Sequence, residues 1–149
     1  MATVLDIARF IIDECGPMPA MKLQKLVYYG QAWSLGLRDK RLFDDEAQAW
    51  AYGPVVRTLF LQHRGKYAVT EMPQGDATRL SPDERRLLSA VVSHYGALSG
   101  EELSDMTHAE APWKAARSDV PAGERSSSVI THSAMKRFYS PARCPFNLP

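Results

Sequence analysis

Four histidines, two cysteines and two short acidic groups are the side chains of this sequence best suited to chemistry. Their spacing argues against each reaction in turn. A metal site on one helix face needs two imidazoles four residues apart, and His63, His94, His108 and His132 never stand so. Asp105, His108 and Glu110 gather close together, as a metal or acid–base cluster would. The segment reads better as a helix end whose polar groups bond local backbone, with His108 near the negative end of the helix dipole. Asp44-Asp45-Glu46 lacks the further oxygen ligands and glycine spacing of a calcium loop and reads as a solvated turn. No glycine-rich loop precedes a Lys-Ser or Lys-Thr pair, and there is no G-x-S-x-G elbow. Cys15 falls on an apolar stripe, where a thiol is expected to be buried and inert, and Cys144 lies in the tail. Two thiols make neither a disulfide framework nor a Cys-rich zinc site; they fit a reduced, cytoplasmic chain. The sequence thus predicts no catalysis, no metal and no cofactor.

Binding chemistry remains. Tyr28, Tyr29, Trp33, Trp50 and Tyr52 cluster in the first third of the chain, and aromatics with a polar handle serve both cores and interface anchors. One apolar stripe cannot bury every face of the Tyr28–Tyr29 pair, so at least one ring is expected to look outward. Lys22 and Lys25 share a flank, either as a solvated face or as a charged rim that orients a partner. Ser99–Met106 followed by Pro112–Arg117 has the outline of a helix-turn-helix, with Lys114 and Arg117 toward phosphates. The short second helix, the bulky Trp113 and a net charge of only +1 argue against nucleic acid.

The elements that position these residues are mostly helical. With 149 residues, 45% hydrophobic and 23% charged, the chain has room for one globular domain. No apolar run reaches the roughly 20 residues that cross a bilayer. Thr3 and Asp6 form a capping-box-like start for a helix carrying Val4, Ala8, Ile11, Ile12 and Cys15, stopped by Gly16-Pro17. A second helix runs from about Ala20 to Leu37 with one apolar stripe, and Gly30 in its middle admits a close neighbour. Ala47–Tyr52 alternates with period two and reads as a short strand or connector, able to pair with Tyr67–Thr70. Gly53-Pro54 marks a helix start. Ser81-Pro82-Asp83-Glu84 and Ser99 with Glu102 open two further helices. Arg117–Ser128 is a loop, Thr131–Tyr139 a last helix, and Ser140–Pro149 an extended tail. The expected fold is mainly α: a compact single-domain helical bundle over residues 1–139 with at most one short hairpin.

Met21–Trp33 (MKLQKLVYYGQAW), Leu42-Phe43, Ala49–Val56 (AWAYGPVV) and Leu103–Arg117 (LSDMTHAEAPWKAAR) stand in the order and spacing of a known family. On these elements the chain resembles the Panacea domain, the SocA-like antitoxin domain often labelled phage-associated. The resemblance implies a helical antitoxin that neutralises a cognate protein toxin, often translation-blocking and encoded by the adjacent gene, by direct contact. A DNA-binding regulator and a protease adaptor are the alternatives. Family motif residues shared between different partners are expected to be scaffold more than contact. The contacts predicted here are Tyr28, Tyr29, Trp50, Tyr52 and Arg57, with Gln24 and Lys25 at the edge. Charge reversal at Lys25 combined with Tyr29→Ala is expected to free the toxin while the fold stays intact. Nothing in the sequence fixes an oligomeric state.

Overall fold

In the computed structural model, which describes residues 1–148, a central helix is wrapped by the rest of the chain. Helix α1 spans Val4–Cys15 and begins as its cap predicts: Thr3 Oγ1 accepts from the Asp6 N–H, and the Thr3 N–H donates to the Asp6 carboxylate at 2.8 Å. Asp6 also accepts from the Asp76 N–H at 2.8 Å, so one carboxylate both caps α1 and anchors the 72–80 connector. Gly16, at φ 80°, ends the helix. Cys15 is exposed, not buried. The last turn of α1 outruns the core, so the apolar stripe ends at Ile12, which is buried.

Strand β1 (Met18–Pro19) leads into α2, Ala20–Arg38. Fourteen of the 19 residues of α2 are buried. A helix apolar on one stripe faces one neighbour, whereas one buried all round is a core helix. Here α1 packs on α2, as do α4 (Pro82–Tyr95), α5 (Gly100–His108) and α7 (His132–Phe138). Close approach is built into its glycines. A Cβ on Gly30 would lie 2.8 Å from Leu88 Cδ2, and one on Gly36 would lie 1.6 Å from the Tyr139 carbonyl oxygen. Helix α2 continues through Gly36 to Arg38.

The β structure exceeds the single hairpin expected. Strands β2 (Ala47–Trp50) and β3 (Gly53–Val56) pair antiparallel around the Ala51-Tyr52 turn, and β5 (Val129–Ile130) adds to β2 on its other side. A second, two-stranded sheet joins β1 to β4 (Ala68–Val69). Tyr67–Thr70 thus pairs with Met18–Pro19 and not with Ala47–Tyr52. Gly53-Pro54 opens a strand, because Gly53 takes φ 117° to close the turn and α2 side chains bond the following backbone; helix α3 starts only at Arg57 and ends at His63. Helices α4 and α5 begin at the capping boxes of Ser81 and Ser99. Helix α6 covers Ala111–Ala116. The tail is not simply extended: Pro141–Arg143 makes a 3-10 turn, and the Phe146 ring meets Trp33 edge to face at 5.7 Å.

Candidate partner-binding surface

Two of the sequence elements quoted above, Met21–Trp33 and Leu103–Arg117, converge on the hairpin that contains a third, Ala49–Val56. From α2, Gln24 bonds both backbone groups of Val56, and the Lys25 ammonium donates to the Pro54 carbonyl at 3.3 Å. From α5, the Ser104 hydroxyl donates to Tyr52 O at 2.5 Å. From α6, the Trp113 indole donates to Trp50 O at 2.9 Å. Just past α6, the Arg117 guanidinium donates to Ala49 O at 2.9 Å and to Glu124 O at 2.6 Å, and lies over the Trp113 ring. A two-residue turn is thereby fixed from three sides, and Tyr52 at its tip is 77% exposed.

This geometry divides the predicted contacts. Gln24, Lys25, Tyr28 and Tyr29 are buried and cannot touch a partner across the surface of this fold. Tyr28 and Tyr29 both face inward because two separate elements cover them. Tyr29 stacks on Tyr95 of α4 at 4.2 Å, and Tyr28 meets Tyr139, just after α7, edge to face at 6.0 Å. The hydroxyls of Tyr29 and Tyr139 both donate to Glu110 Oε1 at 2.8 Å, and the Trp33 indole donates to the Tyr95 hydroxyl at 3.0 Å. Burial pushes Glu110 above the usual carboxylate range, against the two phenol donors that pull it down. Burial likewise raises Tyr28, Tyr29, Tyr95 and Tyr139.

Lys25 is neither a solvated flank nor a rim. It is sealed between α2, β3 and α5, and burial lowers its pKa to about 7. Lys22 is half-buried, its ammonium donating to Gly96 O at 2.6 Å. The pairing of Lys25→Glu with Tyr29→Ala would break the core and cannot leave the fold intact. Arg117 is likewise committed to the interior, which removes one of the two cations of the expected DNA-reading helix. His108 stacks on Trp113 at 4.0 Å instead of joining a cluster with Asp105 and Glu110.

Trp50, Tyr52 and Arg57 remain together at the surface. With Met21, Phe60, Arg64 and Arg125 they line a cleft of about 660 Å³ beside the hairpin turn. Trp50 and Phe60 line it edge to face at 4.9 Å, while Arg57 is the first residue of α3 and Arg64 its C-cap. Phe60, Arg64 and Arg125 were not singled out in the sequence. The helical spacing that puts Arg57, Phe60 and Arg64 on neighbouring turns was visible, but the cleft needs the 117–128 loop folded against β2, a long-range arrangement. Among the described residues, no helix is long and apolar enough to cross a membrane, and no three His, Cys, Asp or Glu side chains gather as a metal site would require.

Compared with known families, the sequence matches the antitoxin SocA-like, Panacea domain over residues 23–114. No curated protein and no solved structure matches it.

Proposed function

The chain belongs to the family of SocA-like antitoxins with a Panacea domain, and from that premise we propose that it neutralises one cognate protein toxin in the cytoplasm by occluding it, without making or breaking a covalent bond. The observation that carries this reading beyond the family is the hairpin. Side chains from two elements of the resemblance, Met21–Trp33 and Leu103–Arg117, are spent on holding the 47–56 backbone, and what that backbone displays is Trp50, Tyr52 and, one residue on, Arg57. Tryptophan, tyrosine and arginine are the residues that most often dominate binding energy at protein interfaces. An occluding complex of ordinary size would bury about 1,600 Å² in total, more than the cleft alone, so the hairpin and α3 form its centre and the surroundings its rim.

The test is expression of the adjacent open reading frame alone and with this chain. Toxicity alone, rescue together and a purified stoichiometric complex support the reading. Toxin abundance is measured in the same cells: occlusion leaves it unchanged, whereas a fall on co-expression assigns delivery to a protease instead.

A further inference from the structure

We propose that the cleft beside the Ala51-Tyr52 turn receives an acidic segment of the toxin that carries an apolar anchor side chain, an inference that rests on the antitoxin reading above. Charge is the first argument. Arg57, Arg64 and Arg125 are exposed at the cleft, and no Asp or Glu is among its lining residues. The ion pairs among the described residues are made by Arg9, Arg41, Arg79, Arg86 and Lys136. None of the cleft arginines takes part in one. Three unpaired guanidinium groups therefore stand together on a chain whose net charge is only +1. Arg117 provides the contrast within the same fold: a guanidinium the structure uses for itself is buried and bonded to carbonyl oxygens. The planar fork of arginine pairs two-pronged with carboxylates, which gives both affinity and register.

Shape is the second argument. Trp50 and Phe60 meet at 64°, so they make a socket for one branched or aromatic side chain. A nucleic acid base needs an open flat face to stack on, and a tilted pair offers less of one. Met21 adds a further apolar side chain to the lining. The partner that fits is a short peptide stretch with an aromatic or branched residue among two or three carboxylates. One wall of the cleft, Arg125–Ser127, lies outside the span matched by the family, whereas Trp50, Arg57, Phe60 and Arg64 lie inside it.

The experiment replaces Arg57, Arg64 and Arg125 together by Glu. A charge-matched control replaces Arg41, Arg86 and Arg137, which are exposed and outside the cleft. Each purified chain is titrated against the product of the adjacent open reading frame at low and high salt, and unfolding midpoints confirm that both variants fold. The expected result is affinity about a hundredfold weaker for the cleft variant, within about twofold of wild type for the control, and a steep salt dependence in wild type and control that the cleft variant loses. Lys substitutions in the acidic segment of the toxin then restore binding to the cleft variant. A cleft variant that still binds within about twofold and still rescues growth overturns the proposal. So does tight binding of a 20-nucleotide single-stranded DNA that the Glu variant abolishes while toxin binding is unchanged. Failure of the wild-type chain to bind the product at all brings down the antitoxin reading first, and the cleft with it.

Discussion

Gln24 and Val56 are joined as neighbouring strands would be. The Gln24 amide accepts from the Val56 N–H at 2.9 Å and donates to the Val56 carbonyl at 3.2 Å. One side chain of the central helix thus completes the open edge of β3. Its nitrogen also lies 3.0 Å from His63 Nε2, which then accepts and carries its proton on Nδ1. Gln24→Met keeps the volume but orphans two buried backbone groups. It is expected to cost about 2–4 kcal/mol by urea unfolding, since each unsatisfied group costs about 1–3 kcal/mol. A loss below about 0.5 kcal/mol would mean that water or a shifted strand replaces the bonds.

Lys25 gives the fold a distinctive pH profile. Its folded pKa, about 7, lies below the unfolded value of about 10.4. Between those values the unfolded chain holds the extra proton, so stability rises with pH. His63 and His108, lowered mainly by burial, act with the same sign at lower pH. The four buried tyrosines act oppositely above about pH 10, where their unfolded forms ionise first. Urea midpoints are therefore expected to peak near about pH 9–10. Lys25→Met should flatten the climb above pH 7 and be at least as stable as wild type at neutral pH, although Pro54 O loses a donor.

Glu110 is held by two phenols yet disfavoured as an anion. Because its folded pKa is raised, ionisation costs stability as pH rises past the ordinary carboxylate value. Glu110→Gln keeps an acceptor for Tyr29 and Tyr139 without the buried charge, and is expected to unfold at the same or higher urea at pH 7. Glu110→Ala leaves both hydroxyls short of a partner and is expected to lose about 1–3 kcal/mol. Equal losses from both variants would contradict the assignment.

The two glycines of α2 make a ranked prediction. At Gly30 the obstacle to a methyl group is the far end of Leu88, which can turn aside, and alanine regains about 1 kcal/mol of helix propensity. At Gly36 the obstacle is Tyr139 backbone. Gly30→Ala is expected to lie within about 1 kcal/mol of wild type, and Gly36→Ala to lose about 3 kcal/mol or more as α7 is pushed off. Thermal unfolding of the pair checks the order.

What the sequence made legible was local. Thr3, Ser81 and Ser99 each announce a helix through a partner three residues on, and all three caps form. The hairpin was illegible because Gly53-Pro54 carries the same local signal as a helix start, and the bond that decides otherwise comes from Gln24, 32 residues away. The inward turn of both Tyr28 and Tyr29 depends on Tyr95 and Tyr139, which no pattern within α2 reveals. Of the predicted contacts, those on β2, its turn and the start of α3 remain at the surface, and those on α2 became its core.

Tyr52 and Tyr29 separate binding from folding. Tyr52→Ala removes an exposed ring and should change stability by less than about 0.5 kcal/mol, while weakening the toxin complex by more than about 1 kcal/mol. Tyr29→Ala removes a buried, stacked ring and should cost about 3–5 kcal/mol of stability. Paired unfolding and binding measurements check both.

The most direct measurement is growth of cells expressing the adjacent gene product with wild-type chain, with Tyr52→Ala, and with the triple cleft variant. Wild type is predicted to restore growth and to co-purify with the product, and the folded variants to do so less or not at all. A harmless gene product, or rescue by a chain that forms no complex with it, would contradict neutralisation by direct contact.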